Sequence, residues 1–124
     1  MKAGDLYRRV AFDGPKEVPD THGGTEVGWD TDNAVTARAH FLYLRGGETV
    51  QAARLQGRQP VVVTIRNSED ARSITAGWRM RDMNAGSLNS GDVWSGPTFN
   101  VRTDPVPSDD RRWLEITVEG GVAV

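Results

Sequence analysis

Two histidines, His22 and His40, and two close-set carboxylate pairs, Asp30/Asp32 and Asp109/Asp110, have the types and spacing to do acid–base or metal chemistry. A metal centre needs three or four donors converging from compatible spacings. Neither histidine has a second ligand nearby at such a spacing, one falling in a polar stretch and the other in an alternating one. General acid–base work needs two carboxylates held in unlike environments. Acid doublets in turn-rich segments instead act as solvated charges or caps. There is no cysteine, which excludes disulfides and thiolate metal sites. No serine sits in a nucleophile elbow, and no glycine-rich phosphate loop precedes a Lys-Ser or Lys-Thr pair. The expectation is no catalytic residue, no metal and no cofactor: a binding or structural protein rather than an enzyme.

The charge distribution is more informative than the total. The 124 residues carry a formal net charge of −2, so bulk electrostatics do not suit nucleic-acid binding. From residue 13 to residue 32, six acids (Asp13, Glu17, Asp20, Glu26, Asp30, Asp32) face Lys16 alone, a net charge of −5. From residue 38 to residue 66, five arginines (Arg38, Arg45, Arg54, Arg58, Arg66) face Glu48, a net charge of +4. Arginine suits bidentate contacts to carboxylate and phosphate. Two readings stand: two solvated faces, or complementary patches in which the acidic face of one subunit (Asp20, Glu26, Asp30, Asp32) meets the basic face of its neighbour. Trp29 and Trp94 lie in polar, glycine-rich surroundings. Each either anchors an interface, stacks on a base, or folds back over the end of the domain.

The elements that position these residues are mostly strands. Alternation marks residues 6–12, 35–44, 61–66, 98–102 and 113–119, with a weaker strand over 77–83. Asp13-Gly14-Pro15 reads as the end of the first strand, and residues 16–28 as an exposed loop or the tip of a long hairpin. Gly46-Gly47 breaks the second strand. Residues 48–56 form about two turns of helix, with Gly57 placed as the left-handed residue after it. Pro105 and Pro107 keep their segment off central ladder positions. Residues 84–97 read as a loop. Glu115 and Glu119 alternate opposite the apolar face of the last strand, towards water or a partner. The fold class is all-β: one domain over 1–124, a small antiparallel β-barrel or sandwich of about six strands with one short helix and long loops. There is no span long and apolar enough for a bilayer and no apolar run after Lys2 to suggest a signal peptide, so synthesis in the cytoplasm is expected.

In order along the chain, these features resemble the head–tail joining proteins of long-tailed phages and gene transfer agents, the head-completion or stopper family. The opening MKAGDLYRRVAF resembles that family's first strand, and GGTEVGW, ending at Trp29, the loop before its second. VTARAHFLYLRGGE is similar to a Trp-Ala-Arg strand followed by Leu-Arg-Gly-x-Glu. VVVTIR, WRMR, FNVR and RRWLEITVEGG resemble the strands that follow. The match between LRGGE, a helix and VTIR is its most specific part. Thr36 stands where family members commonly have an aromatic residue, and the stretch between Trp78 and Phe99 is longer than usual.

The resemblance implies a structural protein of a virion or phage-like particle, made in the bacterial cytoplasm and built into the head–tail junction. It implies a ring of identical subunits, six-fold in the particle, that closes the DNA channel after packaging and offers a docking surface to the tail. The implied partners are further copies of the chain, the portal or adaptor above, the tail terminator or tail tube below, and double-stranded DNA passing through, with no membrane. Arg45, Gly46, Gly47, Glu48, Arg54 and Arg58 then become a channel-side gating or inter-subunit loop. Their arginines face either phosphate or a neighbour's acidic segment. The alternatives are a single-stranded nucleic-acid-binding barrel and a neighbouring adaptor or tail-terminator component.

Overall fold

The computed structural model describes residues 3–19, 21–88 and 94–120. Seven antiparallel strands form one sheet: β1 (Arg8–Pro19), β2 (Thr25–Tyr43), β3 (Gln59–Arg66), β4 (Arg79–Asp82), β5 (Thr98–Val101), β6 (Val106–Pro107) and β7 (Trp113–Gly120). Helix α1 (Glu48–Leu55) joins β2 to β3. The strand order is β3-β2-β1-β4-β5-β7-β6, and β3 also pairs with β7, so the ladder runs round in a circuit. The all-β, barrel-like architecture is as the alternation indicates. Closing the circuit covers much of the open edge that a flat sheet would expose, though not that of β2 before Ala39. The two-residue β6, beside Leu114 and Glu115 of β7, was not foreseen.

Side chains of one parity fill the interior. Val10, Phe12, Val61, Val63, Ile65, Met80, Leu114, Ile116 and Val118 are fully or almost fully buried. Each such aliphatic or aromatic side chain contributes about 1.5–3 kcal/mol through loss of apolar surface to water. Alternating valine and isoleucine in β3 and β7 therefore does two jobs. β-branching suits the pleat, and the two strands pair along their whole length, from Gln59↔Gly120 to Arg66↔Trp113.

The first strand corrects the sequence expectation. Asp13-Gly14-Pro15 does not end it. β1 and β2 pair from Arg8↔Ala39 to Phe12↔Val35, slip register, and resume from Gly14↔Asp30 to Pro19↔Thr25. Residues 16–28 thus take the second of the two readings, the end of a long hairpin, and β2 begins ten residues earlier than its apolar alternation suggests. The slip leaves Asp13 opposite Arg79 of β4. Glycine suits position 14, because a Cβ there would sit 3.2 Å from the Trp78 ring, which would have to give by a few tenths of an ångström. Described residues from Pro15 to Val27 are exposed, so the hairpin stands off the barrel as an arm.

Helix α1 is placed as its sequence indicates. Gly57 takes φ +80°, its N–H donates to the Arg54 carbonyl, and the Arg58 N–H donates to the Ala53 carbonyl. This pair of bonds satisfies the last carbonyls of a helix and favours glycine at the left-handed position. Only Ala53 of the helix is buried, and Leu55 is 90% exposed.

Candidate functional site

Charged side chains gather on the outer face of the barrel, where β1 and β4 run side by side. Alternation in β4 sends Met80 into the core and Arg79 and Arg81 outward. Both meet Asp13. Arg79 Nε donates to Asp13 Oδ2 at 2.7 Å, and Arg81 donates from Nε at 2.7 Å and from its terminal nitrogen to Oδ1 at 2.8 Å. Asp13 is 0% exposed, Arg79 8% and Arg81 3%. Two aromatic rings cover the group. The Trp29 ring lies 5.3 Å from the Arg79 guanidinium, and the Trp94 ring 5.4 Å from that of Arg81. Guanidinium over indole is the favoured cation–π geometry, and it strengthens where water is excluded. Trp94 also donates its indole N–H to the Pro97 carbonyl. One carboxylate therefore ties together the barrel, the hairpin through Trp29, and the 84–97 loop through Trp94.

The Arg79–Asp13–Arg81 group was not foreseen from the sequence. Its partners lie more than sixty residues apart, and the only local trace is the pair of arginines two apart on a strand. Of the two rings proposed as interface aromatics, both are half-buried and rest on these arginines.

The basic loop divides into two sets. Arg45, Gly46, Gly47, Glu48 and Arg54 are exposed, and Gly47 takes φ +86°. Arg58 instead turns to its own barrel, 3.7 Å from Glu119 and hydrogen-bonded to Gln56 at 2.6 Å. Arg102 approaches the same carboxylate at 3.1 Å. Glu119 is buried between two arginines of its own chain, which corrects the expectation that it meets water or a partner. Glu115 is exposed as expected.

The acidic face is smaller than a residue count suggests. Asp13 is removed from it by burial. Asp30 is half-buried and accepts two bonds from the Asn33 amide, at 3.2 and 3.0 Å. Glu17, Glu26 and Asp32 are exposed, and Asp20 lies outside the described residues. At the other doublet, Asp110 accepts from the Ser108 hydroxyl at 2.7 Å and from the Arg112 N–H at 3.1 Å. These bonds, the Ser108 one foremost, hold its carboxyl below its usual range and make it a turn cap. His22 lies in the hairpin turn before β2 and His40 within β2, where it pairs across strands with Thr64, so the two stand apart. No helix among the described residues is long and apolar enough to cross a membrane.

The chain matches the family described as phage head completion protein over residues 1–121, and it belongs to that family. The family is structural, so this is a head–tail structural protein of a phage or phage-like particle. No curated protein matches it. Among solved structures, it is similar to the solution structure of protein SF1141 from Shigella flexneri 2a, with 21% identity, a TM-score of 0.61 and complete coverage of both chains. It is also similar to a chain in the virion of a native gene transfer agent particle, with 17% identity and a TM-score of 0.56, covering 96% of this chain and 97% of that one. These two likenesses concern the fold.

Proposed function

We propose that the protein forms a ring at the head–tail junction, closes the DNA channel once packaging ends, and presents the surface on which the tail docks. The observation that carries this reading is the family match over residues 1–121. The likeness in fold to a chain of a gene transfer agent virion supports a structural part in such particles. A ring of identical subunits needs two different faces on each subunit, meeting in a head-to-tail contact that closes. A barrel-like circuit of strands with an arm on one side and an exposed helix on another suits that requirement. The partners follow: other copies of the chain, six in the ring, a portal or adaptor above, a tail terminator or tail tube below, and double-stranded DNA in the channel.

The segment from Arg45 to Arg58 is the gating or inter-subunit element in this reading. Gly47 holds a conformation that other residues adopt only with strain, and Gly46 beside it has open space around it. Replacing both glycines by bulky residues is expected to give particles that leak DNA. Infectious particles with retained DNA from that variant would remove the segment from the mechanism.

Electron microscopy of particles from a strain lacking the gene tests the reading as a whole. Empty or leaking heads beside separate, complete tails are expected. Normal joined particles would overturn it.

A further inference from the structure

Three arginines lie in a row across the outer face of β1, β2 and β3. Arg9 and Arg38 are direct cross-strand partners. Arg66 follows Ile65, which pairs with Ala39, so Arg66 stands beside Arg38 on the same outward face. All three are exposed, and among the described residues none makes an ion pair. Arg66 has only the Trp113 ring, at 5.6 Å. Like charges directly opposite on neighbouring strands destabilise a sheet. Other arginines on the strands or at their ends are neutralised: Arg8 on Asp82, Arg79 and Arg81 on Asp13, Arg58 and Arg102 on Glu119. Arg45, Arg54, Arg72 and Arg111 also make no ion pair among the described residues, but they lie off the strands. Only in the row do unpaired arginines stand side by side on neighbouring strands, and unrelieved like charge on a folded surface is a feature of sites completed by a partner.

The surface next to the row is shaped to receive something. The β2–β3 ladder stops at Ala39↔Ile65, and beyond it the two strands part. A cleft of about 350 Å³ opens there, lined by Leu6, Thr36, Ala37, Arg38, Arg66 and Ser68. β2 from Thr25 to Arg38 has no partner on that side, so its free backbone edge forms one wall.

The same chain carries a segment of opposite charge and extended shape. The hairpin arm exposes Glu17 and Glu26, with Val27 71% exposed between its strands' polar groups. We infer that the hairpin of one copy docks on the Arg9–Arg38–Arg66 row of the next, with Glu17 and Glu26 meeting the arginines and the arm lying along the cleft. The contact is head-to-tail, since the arm and the row are different surfaces, and it propagates from copy to copy. This inference rests on the ring reading and specifies its contact. The competing occupant, a nucleic-acid backbone, fits the arginines but leaves the acidic arm without a role.

The chain has no cysteine, so a pair can be introduced without background. Glu26→Cys with Arg38→Cys places two thiols on the same strand, roughly 40 Å apart along an extended chain, so a bond within one copy is excluded. Oxidation of assembled particles carrying this variant is expected to give a ladder of covalent multimers. Assembled particles that yield monomer alone would overturn the inference. Charge exchange in the deletion strain is the second arm, with Arg9→Glu/Arg38→Glu, Glu17→Arg/Glu26→Arg, and all four together. Each pair alone is expected to lower the yield of joined particles at least ten-fold, and the combination to recover much of it. No recovery, with all three purified proteins melting within a few degrees of the parent, would overturn it. If the arginine variant also loses salt-sensitive retention on duplex DNA, the row belongs to the DNA backbone instead. A deletion strain that makes normal particles removes the head–tail reading itself. A deletion defect fully corrected by the Arg9→Glu/Arg38→Glu chain removes this inference alone.

Discussion

Asp13 shows what a single buried charge can demand of its surroundings. With the carboxylate in place, two buried guanidiniums each have a charged acceptor at 2.7 Å. Without it they have none, and removing one partner of a buried ion pair costs about 3–5 kcal/mol. Asp13→Asn keeps the shape and removes the charge, so equilibrium unfolding in urea is expected to show a loss of that order. A loss below about 1 kcal/mol would mean that water or another group already serves these arginines. Replacing Asp13, Arg79 and Arg81 together by apolar residues of similar size is expected to cost much less than Asp13→Asn. None of this was legible beforehand. Asp-Gly-Pro is a strong turn signal when read locally, and it loses here because β4 pairs with Asp13 and continues the strand. Glu119 was misread for the same reason, since alternation tells which face a side chain takes but not whether another segment covers that face.

At the scale of elements, legibility follows the apolar content. β3, β7 and the helix with Gly57 behind it were readable within a residue or two, because β-branched alternation and a left-handed glycine report local physics. The hairpin was readable only as one of two alternatives, because Glu17, Glu26, Thr25 and Gly28 carry no apolar stripe, and beyond Trp29 on Arg79 its described strand residues are held by cross-strand pairing. That difference predicts a difference in tolerance. Residues 17–27 replaced by Asn-Gly, a turn that suits a two-residue connection, shorten the arm but leave Trp29 on Arg79. The purified protein is expected to melt within a few degrees of the parent, as judged by circular dichroism, while joined particles are lost. A large drop in melting temperature would make the arm part of the folding core. Gly57→Ala tests the helix end instead. Its φ of +80° penalises a Cβ by about 1–2 kcal/mol, to be read from the same unfolding curves.

Across the whole molecule, the circuit of strands and the arm outside it set two levels of stability. The β3–β7 ladder closes the barrel and buries Val61, Val63, Ile65, Leu114, Ile116 and Val118 on its inner side, so these strands can open only when the barrel opens. Exposed segments with few buried side chains open locally at much lower cost. Amide hydrogen exchange on the free protein is therefore expected to be slowest over 61–65 and 114–118, limited by global unfolding. It should be fast over 48–55 and along the arm from 15 to 27, where Ala53 is the only buried residue among those described. Ile116→Ala would lower global stability by about 2–5 kcal/mol and speed exchange in both ladder strands, leaving the rate in the arm unchanged. In assembled particles the arm should slow markedly while α1 responds according to its own contacts, because docking on a neighbour adds the partner that the free chain lacks. An arm that exchanges as slowly as β3 in the free protein would show that it is already part of the barrel's cooperative unit. It would then have no reserve of unmet pairing to offer a second copy.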